Sequence, residues 1–126
     1  MTGGTRIIHI TRQTRQWHEA FFRHAEAAFG IDFRQWSAAG GWTSRYAVIA
    51  IADGERILST IGMTRMVLSL AEPGFGAEFR RLSEGLQLGC IATAKGHGGR
   101  GHGRFLMEHL LEKLEARPLP VMLFSS

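Results

Sequence analysis

Five of the eight residues from Gly96 to Gly103 are glycine, and this cluster separates two stretches of different character. Before it, Leu86–Thr93 is apolar at most positions, which is typical of a strand buried on both faces. After it, Arg104–Arg117 repeats leucine at helical spacing, and Val121–Phe124 is again strand-like. A strand, a loop, a helix and a second strand in this order predict two parallel neighbouring strands joined by a right-handed crossover.

The part of the chain before the glycines predicts an antiparallel unit. Asp53-Gly54 is a strong hairpin signal between the strand-like runs Arg45–Ala52 and Arg56–Leu70. The other predicted elements are a strand at Arg6–Thr11, a helix at Arg12–Phe29 that ends at Gly30, a short helix capped by Asp32 and running to Ser37, and a loop over 71–84 with one helical turn near Glu78–Leu82. The order β-α-α-β-β-β-α-β describes an α/β (α+β) fold with a mixed sheet.

Composition limits the chain to one domain, residues 1–126. With 126 residues, 44% of them hydrophobic and 21% charged, the chain has enough apolar side chains for one core of ordinary size. The sequence contains no apolar run long enough to cross a bilayer, and Met1–Ile10 does not resemble a signal peptide, so we expect no membrane partner. The single cysteine fits a reducing compartment, and we therefore expect a cytoplasmic protein.

The net charge of +4 raises the question of nucleic acid as a partner, but its distribution argues against it. Residues 1–63 contain seven basic and five acidic residues and residues 64–126 contain eight and six, so the two halves have equal net charge and there is no basic tail. No acidic residue occurs between Glu84 and Glu108, whereas Lys95, Arg100 and Arg104 lie within that interval. The sequence therefore indicates a local anion site near the glycines and not a nucleic-acid surface.

A glycine loop that opens a helix is suited to phosphate, because the first helical N–H groups are free and glycine lets an anion approach the backbone. The alternative is that the glycines form only a flexible connection. The loop lacks the Lys-Ser/Thr of a nucleoside-triphosphatase loop. Gly96, Gly98 and Gly101 fit a dinucleotide-binding pattern, but the strand that follows ends without the acidic residue that would bind a ribose.

The segment Gly98–Gly103 resembles the [Gln/Arg]-x-x-Gly-x-Gly/Ala loop of the Gcn5-related N-acetyltransferase (GNAT) superfamily, with Gly101 and Gly103 at its two small positions. The strand before the loop and the Met107, Leu110 and Leu111 pattern after it extend the resemblance. The predicted order of elements resembles that superfamily along the whole chain, whereas the residue-level match is confined to 86–124.

The resemblance implies an acetyl-CoA-dependent N-acetyltransferase that acts on a primary amine of unknown identity, or else a non-catalytic CoA-binding or interaction module. It implies that the amides of the loop hold the pyrophosphate and that the backbone of Ile91 and Thr93 contacts the pantetheine arm, with the acetyl group beside Cys90. The implied pyrophosphate contacts are Gly98, Gly99, Arg100, Gly101, His102, Gly103 and Arg104.

Candidate catalytic residues are harder to assign. The resemblance places Gln87 where the histone-modifying branch carries a basic Glu, and a glutamine cannot accept the amine proton. Glu84, Glu72 or His97 could act through water, although each is also typical of a solvated surface. The only tyrosine, Tyr46, lies in the hairpin and not after the last strand, where the superfamily carries its tyrosine, so we expect no inherited role for it.

Phe33, Trp36 and Trp42 fall where the superfamily's first helices border the acceptor pocket, so they are candidate substrate-binding residues, with core packing as the alternative. Neither Cys nor an acidic residue joins His97 and His102 at a metal-ligand spacing, and we expect no metal.

The superfamily continues with a further helix and two strands, so the sequence resembles a member truncated after the fifth strand. A fragment, completion by another chain or a shortened relative would each account for this. We expect the last strand, Val121–Phe124, to be exposed and to pair with a second copy of the chain as a homodimer, or to promote aggregation.

Overall fold

The computed structural model describes residues 4–71, 74, 76 and 80–123. They form one five-stranded sheet in the order β1-β2-β3-β4-β5, in which β1 to β4 are antiparallel and β5 runs parallel to β4. The elements are β1 (Thr5–Ile10), α1 (His18–Phe29), α2 (Arg34–Ala38), β2 (Tyr46–Asp53), β3 (Arg56–Ala71), β4 (Arg80–Thr93), α3 (His102–Ala116) and β5 (Val121–Leu123). The predicted order of elements and the mixed sheet are confirmed.

Strand β2 is buried on both faces and divides the interior into two cores. Alternate residues of a strand point to opposite faces, so Val48 and Ala50 pack with Phe21 and Phe22 of α1. Ile49 and Ile51 pack on the other face with Leu106 and Leu110 of α3. The sheet is therefore covered by α1 on one face, the α1 face, and by α3 on the other, the α3 face.

Helix α1 begins at His18, six residues later than the periodicity predicts. A turn closed by two threonines precedes it, because the Thr11 N–H donates to Thr14 Oγ1 at 2.6 Å and Thr14 Oγ1 donates to the Thr11 carbonyl at 3.0 Å. A short 3-10 helix, Arg15–Trp17, then leads into α1. Threonine hydroxyls compete with helical hydrogen bonds, and here the Thr11–Thr14 turn replaces the first one and a half turns of the predicted helix.

Strand β4 begins at Arg80, whereas the sequence predicts a helical turn near Glu78–Leu82 and a strand only from Leu86. For residues 80–82 the helical turn is wrong, and 78–79 lie outside the described residues. Arg80 pairs with Ala71 and its guanidinium donates to the hydroxyl and carbonyl oxygens of Ser69 at 2.8 and 2.6 Å. The early start is therefore due to long-range pairing with β3, which overrides the local pattern.

Strand β5 pairs with β4 through Leu86↔Val121, Gln87↔Met122 and Leu88↔Leu123. Val121 and Leu123 remain exposed. Phe124, the last residue of the predicted strand, lies outside the described residues, and the homodimer through this strand stays a prediction. In the part of the chain that the structure describes, no helix is long and apolar enough to span a membrane.

We expect Leu106→Ala to lower the free energy of unfolding by about 2–5 kcal/mol, because this side chain is fully buried between α3 and the sheet and its removal leaves a cavity. Chemical denaturation measures the change. Leu111→Ala, one turn away in the same helix but half exposed, is the matched control and should cost under about 0.5 kcal/mol. Equal losses in both variants would contradict the assignment of Leu106 to this core.

Candidate functional site

The glycine loop connects the end of β4 to the first residue of α3, and its open backbone is the main feature of the site. Gly101 is the N-cap of α3 and has φ +79°, a left-handed conformation that glycine adopts without strain. A Cβ built at Gly96, Gly98, Gly99 or Gly101 would meet no atom within 4 Å. Because the first N–H groups of a helix have no partner within it, the amides at this end of α3 are free to bind an anion.

The side chain of Thr93, at the end of β4, packs against the first turn of α3. Its Oγ1 lies 3.2 Å from Ser59 Oγ, and a Cβ at Gly103 would approach it to 3.6 Å. His102 and Gly103, predicted as loop, form the first turn of the helix. The Thr93 side chain thus takes part in packing, which leaves its backbone as the group that could contact a ligand.

The cationic residues of the loop lie close to one another and are influenced by the charges of the β2–β3 hairpin. Arg100 Nη1 lies 3.3 Å from His97 Nδ1. Desolvation lowers the pKa of His97, and the charges of Arg100, Arg56 and His102 lower it further, while Asp53 opposes them. Arg104 donates to Glu108 at 3.0 Å across one helical turn, a surface pair that contributes little and that an anion could replace. The loop therefore carries a local excess of positive charge.

Strand β4 carries a bulge at Cys90. Thr60 pairs with Ala92 but Gly62 pairs with Gly89, so Cys90 and Ile91 together face Ile61. Cys90 has φ +49°, and it is the one non-glycine residue with positive φ among those described. In the described part of the chain β5 ends opposite Leu88, so the outer edge of β4 from Gly89 to Thr93 has no strand beside it there.

A hydrogen-bond chain connects the bulge to α1. Thr60 Oγ1 donates to the Cys90 carbonyl at 2.8 Å, so it accepts from Nε2 of the buried His24 at 3.1 Å. Burial lowers the pKa of His24, and a hydrogen bond with the backbone of Ala92 partly offsets that effect. His24 is therefore a neutral donor, and it fixes the bulge from the α1 face.

The hydroxyl of Tyr46 lies at the same bulge, on the α1 face. A Cβ built at Gly62 would be 2.7 Å from the Tyr46 hydroxyl oxygen and 3.2 Å from Cys90 Cβ. Burial raises the pKa of Tyr46, and the neighbouring Cys90 raises it further. Sequence reasoning assigned Tyr46 no part in the site, because it lies in the hairpin and not after the last strand.

Phe33, Trp36 and Trp42 form an aromatic cluster beside Tyr46. Its ring packs edge-on against Trp36 and Trp42, with centroid distances of 5.4 Å in both cases. Trp42 is buried in the first core, and Phe33 stacks on Phe21 at 6.2 Å. All three candidate substrate residues thus take part in core packing, while Phe33 and Trp36 keep part of their surface exposed.

The structure places the candidate catalytic residues far from the bulge and from each other. Glu84 is exposed, pairs with Arg65 at 3.0 Å, and precedes Cys90 by six residues, or about 20 Å of strand. His97 lies beyond the other end of β4. Gln87 is half-buried and pairs with Met122 of β5. Glu72 lies outside the described residues.

No protein-family model and no curated protein matches the sequence. Solved structures do match. An aminoglycoside acetyltransferase, meta-AAC0020, from an uncultured soil metagenomic sample aligns over 98% of this chain and 78% of its own, with a TM-score of 0.67 and 11% identity.

Two further solved structures are similar. The ribosomal-protein-alanine N-acetyltransferase of Brucella melitensis biovar Abortus 2308 covers 97% of this chain and 80% of its own, with a TM-score of 0.64 and 16% identity. A GCN5-related N-acetyltransferase from Kribbella flavida covers 97% of this chain and 30% of its own, with a TM-score of 0.66 and 16% identity. The chain has the GNAT fold.

A groove of about 710 Å³ adjoins the glycine loop on the α1 face, between α1 and the β2–β3 hairpin. Sequence reasoning missed it, because its walls come from three separate segments. Its charged and polar lining residues are Arg23, His24, Asp53, Glu55, Arg56, Thr93 and Lys95. Among residues 4–71, 74, 76 and 80–123, no group of three or more His, Cys, Asp or Glu side chains could hold a metal ion.

We expect the stability of this protein to fall as the pH drops below about 6.5, the ordinary pKa of histidine. The folded state lowers the pKa of His24, so protons bind the unfolded chain first, and the stabilisation present above 6.5 is lost at lower pH. Thermal melts from pH 8 to 5 measure the slope. His24→Gln should flatten it.

His9 also has a lowered pKa, mainly through burial, and contributes to the same slope. The matched control, His9→Asn, should therefore leave the contribution of His24 in place. An unchanged slope in His24→Gln would show that His24 is not the neutral buried donor.

Proposed function

We propose that this chain binds acetyl-CoA and transfers its acetyl group to a primary amine. The observation that carries the proposal is the position of the open glycine loop, at the N-terminus of α3 and next to the stretch of β4 that has no strand beside it within the described residues. A phosphate group at the loop and an extended arm along β4 would then be continuous. The GNAT fold supports this assignment, because the similar solved structures named above are acetyltransferases.

The glycine loop offers both space and positive charge for acetyl-CoA. The free space at its glycines leaves room for a pyrophosphate against the backbone, and the positive residues nearby complement its charge. We assign the phosphate contacts to Gly98, Gly99, Arg100, Gly101, His102, Gly103 and Arg104, and the pantetheine contacts to the backbone of Ile91 and Thr93. When bound, acetyl-CoA supplies an activated thioester, which we place beside Cys90.

Catalysis in this proposal depends mainly on positioning. Glu84 lies about 20 Å of strand from Cys90, His97 lies in the loop beyond the end of β4, and Gln87 cannot accept a proton. Holding an amine against a thioester in a fixed orientation can by itself lower the barrier by several kcal/mol. The bulge adds a backbone N–H group with no regular strand partner, which can polarise the carbonyl.

The alternative is a CoA-binding or interaction module without activity. The positions of Glu84 and His97 favour this inactive module, because no carboxylate or imidazole in the described residues of β4 or the loop reaches the bulge at Cys90. Both candidates require binding of acetyl-CoA, and only the first requires release of CoA thiol.

A cytoplasmic location also stays a prediction.

We expect wild-type protein to bind acetyl-CoA in isothermal titration calorimetry, and Gly101→Ala to weaken binding at least about tenfold. A Cβ at φ +79° costs about 1–2 kcal/mol and shifts the amides of the loop. Gly30→Ala is the control, because Gly30 ends α1 at φ +70° and also has free space around it. The Gly30→Ala variant should lose a similar amount of stability but keep its affinity for acetyl-CoA. No binding to folded wild type at high micromolar acetyl-CoA would refute both candidates.

A thiol-release assay separates the enzyme from the binding module. We expect free CoA to appear when the protein is mixed with acetyl-CoA and at least one amine from a panel. The panel contains aminoglycosides, peptides with a free amino terminus, and polyamines. The first two classes are chosen from the names of the similar solved structures. Binding without release across the panel would favour the non-catalytic module.

A further inference from the structure

Cys90, at the bulge of β4, has a backbone conformation that is costly for a residue with a side chain. Its φ of +49° lies in the left-handed region, where residues other than glycine remain only if their surroundings hold them. Regular pairing with β3 is interrupted here, because Cys90 and Ile91 together face Ile61. A contact outside the ladder must therefore fix the peptide between Cys90 and Ile91.

Two buried side chains supply that contact. Thr60 Oγ1 donates to the Cys90 carbonyl at 2.8 Å and lies 3.1 Å from Nε2 of His24. The His24 ring also forms a hydrogen bond with the backbone of Ala92, where regular pairing resumes. Thr60 has no exposed surface and His24 exposes only 7% of its own, so little water competes for these bonds. One histidine thus holds both sides of the bulge.

Packing alone does not hold α1 against this end of β4, because the groove of about 710 Å³ opens beside His24. The residues that line the groove include small side chains from both sides, namely Ala20, Ala27 and Ala28 of α1 and Ala94 after β4. His24 lines the same groove, and its hydrogen bonds with Thr60 and Ala92 connect α1 to the sheet. The alignment of the bulge with α1 therefore depends on the polar contacts of this side chain.

A trans peptide is planar, so a bond that fixes the Cys90 carbonyl also fixes the direction of the Ile91 N–H group. We propose that His24 is a positioning residue for acetyl transfer, which acts through Thr60 to hold the Cys90–Ile91 peptide in the orientation that the thioester requires. The proposal rests on the proposed function, because that function places the thioester beside Cys90. In this role His24 neither contacts the reacting atoms nor exchanges a proton with them.

Two substitutions of His24 separate its hydrogen bond from its bulk. His24→Gln keeps an amide N–H group near the position of Nε2, whereas His24→Leu keeps an apolar side chain there and has no donor. We expect His24→Leu to lower kcat at least about tenfold, because a misplacement of about 1 Å can cost about 100-fold in rate. The Kd for acetyl-CoA in calorimetry should stay nearly unchanged, because the glycine loop is not altered. His24→Gln should restore most of kcat, and a kcat as low as that of His24→Leu would overturn the proposal.

Thr60→Val tests the path, because it removes the hydroxyl between His24 and Cys90 and keeps the branched side chain. We expect the same fall in kcat as in His24→Leu. The matched control is Ile10→Val, a fully buried residue of the core under α1 that lies three strands away from β4. It should lower Tm and leave kcat near the wild-type value. Wild-type kcat in either folded test variant, or an equal fall in the control, would overturn the proposal.

A second measurement does not depend on turnover. The chain has one cysteine, so ¹³C labelling of the cysteine carbonyl carbon gives one NMR signal, that of Cys90. We expect this signal to shift in ligand-free His24→Leu and to stay near its wild-type position in His24→Gln. An unshifted signal in folded His24→Leu would overturn the positioning role alone. Absence of acetyl-CoA binding by the wild-type protein in calorimetry would instead refute the proposed function, and with it the role of His24 in transfer, whatever the carbonyl signal shows.

Discussion

Strand β4 has two unequal edges, and the candidate site depends on the difference. Its inner edge pairs with β3 from Arg80 to Thr93, whereas its outer edge pairs with β5 only from Leu86 to Leu88 in the described residues. Beyond Leu88 the outer edge offers backbone groups to a ligand, and the strand then leads into the glycine loop. Backbone hydrogen bonding thus creates an extended site that ends at a helix N-terminus.

Both cores support this strand. From the α1 face, His24 and Thr60 fix the Cys90 bulge by hydrogen bonds. From the α3 face, the side chains of Thr93 and Ser59 lie against the first turn of the helix at Gly103. A helix packed on each face keeps β4 rigid although one of its edges is open, which is what a site on a strand edge requires.

Glycine has different functions at different places in this chain. At Gly101 it permits the left-handed N-cap that starts α3, and at Gly62 its lack of a side chain lets the Tyr46 hydroxyl reach the bulge. The first is visible as part of a cluster, whereas the second is an isolated glycine inside a strand. A glycine in a strand marks close approach of another group, but the sequence does not say which group approaches.

The sequence by itself determined the order of elements, the parallel pair around the last helix and the glycine loop that opens this helix, because these depend on periodicity and turn chemistry over short stretches. It failed at Arg80–Leu82, which is a strand because the distant β3 pairs with it. It also missed a local turn between Thr11 and Thr14, which delays the start of α1. Only the tertiary structure brought Tyr46, Gly62 and Cys90 to one point and placed Glu84 and His97 away from it. Side-chain convergence depends on sheet order and on the bulge, and neither is encoded in any local pattern.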